Sequence, residues 1–148
     1  MADTVYNVAK ARVASGATDL DTSTLKMLLL KTTAAGAFNP DLVSVTALKA
    51  VSGVVEADFT GYVRKTLTSV TVTQDDTNDR ANVDSANVTW DPAGGATNNT
   101  PVAAVIYHDV DGTDANSKLV SYHDTNFGVT ATNGSPYTVN IADFVRLT

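Results

Sequence analysis

The sequence predicts a mainly β fold: a single antiparallel β-sandwich, jelly-roll-like, preceded by a short N-terminal helix. Three observations predict it. The 148 residues include 22 Thr and 20 Val, whose branched Cβ stiffens χ1 and suits a pleated, half-buried surface. The acidic residues are 15 Asp and a single Glu, Glu56, alongside 11 Asn. Asp and Asn bond their own backbone in turns, whereas Glu is the acidic helix former. Turn signals recur about every 8–12 residues, the spacing of sandwiches and small barrels.

The first segment departs from the β vocabulary. Tyr6, Ala9 and Val13 recur at i, i+3 and i+7, one apolar helical stripe. Asp3 or Thr4 is placed to cap it, and Gly16 stands where a left-handed residue ends a helix. The expectation is an amphipathic helix over residues 4–15. Its stripe either packs on the chain's own domain or serves as a partner-binding arm, with Tyr6, Ala9 and Val13 as the contact residues. The organisation expected is a helical segment over residues 1–18 and a sandwich domain over residues 19–148, with no linker and no solenoid repeat.

A turn at residues 19–23 leads into residues 25–31. There Leu28, Leu29 and Leu30 break strict alternation, as in a strand buried on both faces. Residues 34–40 read as a loop with Gly36 and Pro40, and residues 46–51 as a helical turn ended by Gly53. Residues 66–73 alternate, with Thr68, Val70 and Val72 on one face and Ser69, Thr71 and Thr73 on the other. Residues 74–80 read as a polar loop. Ala86, Val88 and Trp90, the only Trp, alternate with Asn87 and Thr89 and point inward. Residues 91–101 carry Gly94-Gly95 and Asn98-Asn99 and read as a flexible loop. Two hairpins follow: residues 102–108 with 119–123, and residues 127–132 with 137–141 around Asn133-Gly134, a strong two-residue turn signal. Residues 144–147 add a final short strand.

Composition excludes several functions. The net charge of −6 and pI near 4.6 oppose nucleic acid as a main ligand, because phosphate contacts need a basic surface. No apolar run approaches the ~20 residues of a membrane span. The N-terminus lacks the basic and apolar regions of a secretory leader. With no Cys there is no thiol nucleophile, disulfide framework or Cys-based zinc site. The Gly-x-Ser-x-Gly elbow, the phosphate-binding loop and the dinucleotide fingerprint are all missing.

Two repeated tripeptides, Tyr107-His108-Asp109 and Tyr122-His123-Asp124, bring imidazoles and carboxylates toward one hairpin. Pairing Asp109 with Lys118, however, sets His108 opposite Leu119 and away from His123. The acidic runs 109–116 and 75–84 lack the glycine and terminal Glu of a calcium loop at the required positions. The expectation is therefore no metal, no cofactor and no catalytic residue. Tyr62, Tyr107, Tyr122 and Tyr137 are candidates either for cross-strand packing or for a sugar-binding face.

The order of the motifs carries a resemblance. The run from Asp19-Leu20-Asp21-Thr22 through Leu25-Lys26-Met27-Leu28-Leu29-Leu30 is similar to the opening of a family of small tailed-bacteriophage virion structural proteins. Gly61-Tyr62, Val88-Thr89-Trp90, the run Ala104-Val105-Ile106-Tyr107-His108-Asp109, Leu119-Val120-Ser121-Tyr122 and Thr138-Val139-Asn140-Ile141 resemble its later landmarks. The resemblance implies a non-enzymatic capsid decoration or cement protein at the virion surface, assembled in the host cytoplasm. Its partners would be the major capsid protein and copies of itself. It leaves open a tail, neck or fibre component, and a receptor- or carbohydrate-binding module remains an alternative.

Overall fold

A computed structural model describes residues 4–33 and 38–148; the expected loop at 34–40 lies mostly outside them, as does the candidate cap Asp3. Eleven strands and two helices follow in chain order: β1 (Thr4–Val5), α1 (Asn7–Ala14), β2 (Leu25–Thr32), α2 (Val45–Lys49), β3 (Val55–Glu56), β4 (Lys65–Thr66), β5 (Thr71–Asp75), β6 (Arg80–Asp84), β7 (Val88–Trp90), β8 (Ala103–His108), β9 (Lys118–His123), β10 (Tyr137–Val139) and β11 (Val145–Leu147). The main sheet runs β1-β9-β8-β2-β3, with β4 also on β2. Two smaller sheets, β10-β7 and β11-β6-β5, complete the set, and every pairing is antiparallel. The fold is mainly β with a short N-terminal helix, as the sequence predicts. Its layering is compatible with a sandwich.

Strand β2 explains the architecture. Its Leu25, Met27 and Leu29 belong to one buried cluster, and its Leu28 and Leu30 to a second. Successive side chains of a strand point to opposite faces, so a strand apolar at nearly every position needs cover on both sides. On the first face the cover comes from the smaller sheets, through Trp90, Val88, Val139, Val83 and Val145, with Phe59 and Phe144. On the second face it comes from Val45 and Leu48 of α2, Val54 and Tyr6. Strand β8 repeats the pattern, with Ala104 and Ile106 on the first face and Val105 and Tyr107 on the second. Opposite Ile106 and Tyr107 of β8 the register shifts from Ser121 to Leu119, so Val120 is the extra residue in β9. The resulting bulge leaves Leu119 and Tyr122 together in the second cluster although they are three apart.

Several expectations are corrected. The N-terminal helix begins three residues later than predicted: Thr4 and Val5 pair with Tyr122 and Ser121, and Tyr6 is the extended residue before the first turn. Gly16 has φ +72° and closes the helix as expected. The strand foreseen at 66–73 is split, because Ser69 takes φ +53°, a left-handed conformation that ends pairing between β4 and β5. Gln74, Asp75 and Arg80, foreseen in a loop, extend the β5–β6 hairpin instead. Its turn is tightened by the Asp75 carboxylate, which accepts from the Asn78 backbone N–H at 3.2 Å and from Arg80 Nε at 3.0 Å. Ala86 is exposed rather than inward, while Val88 and Trp90 are buried as expected. In the β8–β9 hairpin His108 faces Lys118, and Tyr107 faces Leu119, one position from the predicted register.

The second predicted hairpin does not form. Tyr137–Val139 pairs with β7, and the Asn133-Gly134 segment bonds to the loop at 93–99. Gly134 N–H donates to the Ala93 carbonyl at 2.7 Å, and Thr132 N–H to the Asn99 carbonyl at 2.8 Å. In that loop Gly94, at φ +86°, sits so close to the Asn98 and Thr132 side chains that a Cβ would collide with both. The two loops are thus fitted to each other.

Candidate functional site

The densest polar constellation lies on the second face of the main sheet, where α2, β3, β4 and the β8–β9 loop meet. Strand β3 leaves β2 at Leu30 and β4 rejoins it at Met27. Between them the chain loops out, and the Leu29 N–H would lack a strand partner. Tyr62 supplies one: its hydroxyl accepts from Leu29 N–H at 3.0 Å and donates to Glu56 Oε1 at 2.9 Å. Arg64 then forks between two carboxylates. Its Nε and Nη2 reach Glu56 at 2.7 and 2.8 Å, and its Nη1 and Nη2 reach Asp114 at 2.5 and 3.1 Å. The guanidinium carbon lies 5.5 Å from the Tyr107 ring centroid, a cation–π contact. Lys49 closes the set, 3.0 Å from Asp114 and 3.7 Å from Glu56.

Two acids and two bases make this cluster neutral, and Asp114, Arg64 and Tyr62 are shifted away from neutral pH. Hydrogen bonds from Arg64 pull the Asp114 carboxyl down to about 2, and the Glu56 bonds raise Arg64 above its already high value. Burial, then the Glu56 charge, push the Tyr62 hydroxyl up. A general acid or base works best with a pKa near the operating pH. This arrangement instead ties α2, the β3–β4 excursion and the β8–β9 loop to one point. Sequence reasoning missed it. The signal was available in the solitary Glu56 and in the aromatic and basic pair Tyr62 and Arg64.

The acidic loops are likewise closed on themselves. Asp109 accepts from Gly112 N–H at 2.7 Å and pairs with Lys26 at 2.5 Å. Asp111 accepts from Thr113 and Asn116. Among the described residues no group of three or more His, Asp and Glu is arranged to hold a metal ion. His108 Nδ1 lies 3.0 Å from Thr18 Oγ1, and burial, with Arg12 nearby, lowers its pKa. His123 faces Ala104 across the hairpin, well removed along the strands from His108. Its Nε2 lies 2.9 Å from Ser121 Oγ, the spacing of a nucleophile and its base. Ser121 is fully buried, however, and does not line the cavity of about 280 Å³ beside His123. The pair locks β9 locally.

Tyr6, Ala9 and Val13, the partner-binding candidates, are divided by the sheet edge. Tyr6 is fully buried in the second cluster against Phe38, its ring centroid 5.0 Å away. Ala9 is buried in the first cluster, and Val13 is partly buried against it. Of the three, Val13 alone lines open space, a groove between α1 and the β5–β6–β11 sheet. One part of the groove, about 640 Å³, is bordered by Val13, Leu147, Lys10, Arg80 and Arg146. A second part, about 300 Å³, is bordered by Val13, Leu20, Val72, Val83 and Leu147. Arg80 is paired with Asp75 and Arg146 with Asp143, so the basic rim is partly neutralised. The four tyrosines considered for sugar binding do not share a face. Tyr62 and Tyr137 pack beside Trp90, whereas Tyr107 and Tyr122 belong to the second cluster.

The chain matches no protein-family model, no curated protein and no solved structure.

Proposed function

We propose that the chain is a non-enzymatic structural protein of a tailed-phage virion, serving as a decoration or cement protein that binds and stabilises the head. The observation that supports this reading best is how the polar groups are spent. The ionisable side chains at the sheet are matched to one another, while the groove beside α1 turns Val13, Leu147, Val72 and Lys10 outward. That is the composition of a protein-docking surface, apolar with a charged rim. A body cross-tied by Arg64 and covered on both faces of its sheet suits a part that must hold its shape on a lattice. The resemblance in β2, β7, β8 and β9 points the same way. The major capsid protein and neighbouring copies are the partners in this reading.

The test is quantitative mass spectrometry of purified particles of the phage encoding the chain. Hundreds of copies per particle are expected. About a dozen or fewer would move the protein to the neck, tail or fibre, and its absence from particles would overturn the virion role. The sugar-binding alternative loses ground because its four candidate tyrosines are dispersed between two interior clusters.

A further inference from the structure

Among the described residues strand β5 is the one edge of five residues left open. Among the described residues its only strand partner is β6, so every second N–H and C=O along its outer side points to solvent. Natural edge strands are blunted by charge, proline, bulges or brevity. Residues 66–74 contain no charged residue and no proline, and β5 pairs with β6 in continuous register. Val72, its second residue and the only aliphatic side chain in it, is 48% exposed.

We infer that β5 is a self-association edge, pairing antiparallel with β5 of a second copy about a two-fold axis at Val72. Charge fixes the direction. Asp75, Asp76 and Asp79 crowd the hairpin turn. A parallel pairing would stack the two acidic turns side by side, whereas the antiparallel one sends them to opposite ends. In that register Val72 faces its own copy, Thr71 faces Thr73 and Val70 faces Gln74, so no like charges oppose each other. The contact is isologous, and closed pairs rather than fibres follow. The paired residues, 71–74 of β5 with Val70 just before it, bury less than the ~1,200 Å² of a small stable interface. The dimer therefore dissociates on dilution, and becomes strong only where copies are already held close. It deepens the neighbouring-copy part of the proposed function and shares Val72 with the groove, yet it requires no particle, so its failure in solution leaves the virion reading standing.

The experiment is sedimentation and light scattering of the full chain over a concentration series, with hydrogen exchange read in parallel. Expected are a reversible monomer–dimer equilibrium and protection of residues 70–75 that rises with concentration. Val72→Lys should abolish both, with unchanged circular dichroism, whereas Val129→Lys, at a more open site 79% exposed, should change neither. Because the chain lacks Cys, Val72→Cys gives a single readout. Facing Cα atoms about 4.5–5.5 Å apart lie within disulfide reach, so mild oxidation should yield a covalent dimer. A chain monomeric throughout the series, a dimer that survives Val72→Lys, or protection of β5 that appears only with a different protein would each overturn the inference.

Discussion

Replacing Arg64 by Met tests whether the cluster under α2 is a structural tie. Met keeps much of the stem's packing and removes the fork to Glu56 and Asp114. The cost has two parts. An exposed pair contributes about 0.2–1 kcal/mol, whereas breaking a buried one costs about 3–5 kcal/mol because a charge is stranded. Glu56 and Asp114 side chains are 16% and 29% exposed, which places this pair between those limits. Loss of the contact over Tyr107 adds about 0.5–1 kcal/mol. The expected sum is about 2–3 kcal/mol, or roughly 5–10 °C in Tm for a chain of this size. Urea titration and calorimetry at pH 7 measure it. Glu56→Gln in the Arg64→Met background should recover part of the loss, since no charge is then left unpaired there. The acid limb supplies an independent check. A carboxyl held down at about 2 contributes stability that is complete above its ordinary value near 3.8 and is lost as pH falls toward 2. In Arg64→Met the depression of Asp114 shrinks, so less stability is lost below the ordinary value and the loss ends at higher pH. A destabilisation under about 0.5 kcal/mol, as for a solvent-exposed pair, together with an unmoved acid limb would refute the reasoning.

Three further outcomes are expected. Trp90→Ala should cost about 3–5 kcal/mol, because the ring is fully buried and its Nε1–H donates to the Val63 carbonyl at 2.7 Å; folded wild-type fluorescence should peak at the short wavelengths of a dry indole. Tyr6→Phe should be neutral or stabilising, up to about 1 kcal/mol in urea titration, since among the described residues the buried hydroxyl has no hydrogen-bond partner and its removal strands nothing. Burial, with Arg12 nearby, lowers the His108 pKa in the fold, so its contribution is complete above the ordinary value near 6.5 and is lost as pH falls through the depressed folded value; a Tm–pH profile of His108→Gln should be flatter in that window.

The sequence resolved what strand periodicity alone decides. The unbroken apolar run of β2 announced burial on both faces, and Val88 and Trp90 announced the inward side of β7. What it missed depended on partners far along the chain. Asn133-Gly134 has the turn chemistry of a hairpin, and Gly134 does take a left-handed φ of +95°. Yet the flanking segment 132–135 finds its hydrogen bonds on the loop at 93–99, and Tyr137–Val139 finds its strand in β7. Local pattern names a turn without naming the partner. The Arg64 cluster was hidden for the same reason: Lys49, Glu56, Arg64 and Asp114 are scattered over 65 positions and only meet because β3 and β4 both pair with β2.

The N-terminal segment shows how these edges are managed. Read as a helix, Tyr6, Ala9 and Val13 form one stripe. In the fold Tyr6 is extended and enters the second cluster, while Ala9 and Val13 turn to the first. The segment therefore clips both layers at the β9 border, and β1 occupies the hydrogen bonds that β9 would otherwise expose there. At the opposite border β3 and β4 are two residues each, too short to template a long pairing. Strands β7, β10 and β11 are three residues each. Among the described residues the chain thus shortens or covers its borders except along β5, where it places five residues, uncharged up to Asp75, in regular register. A border left open where its neighbours are blunted is the place on this molecule where a second strand costs least to add.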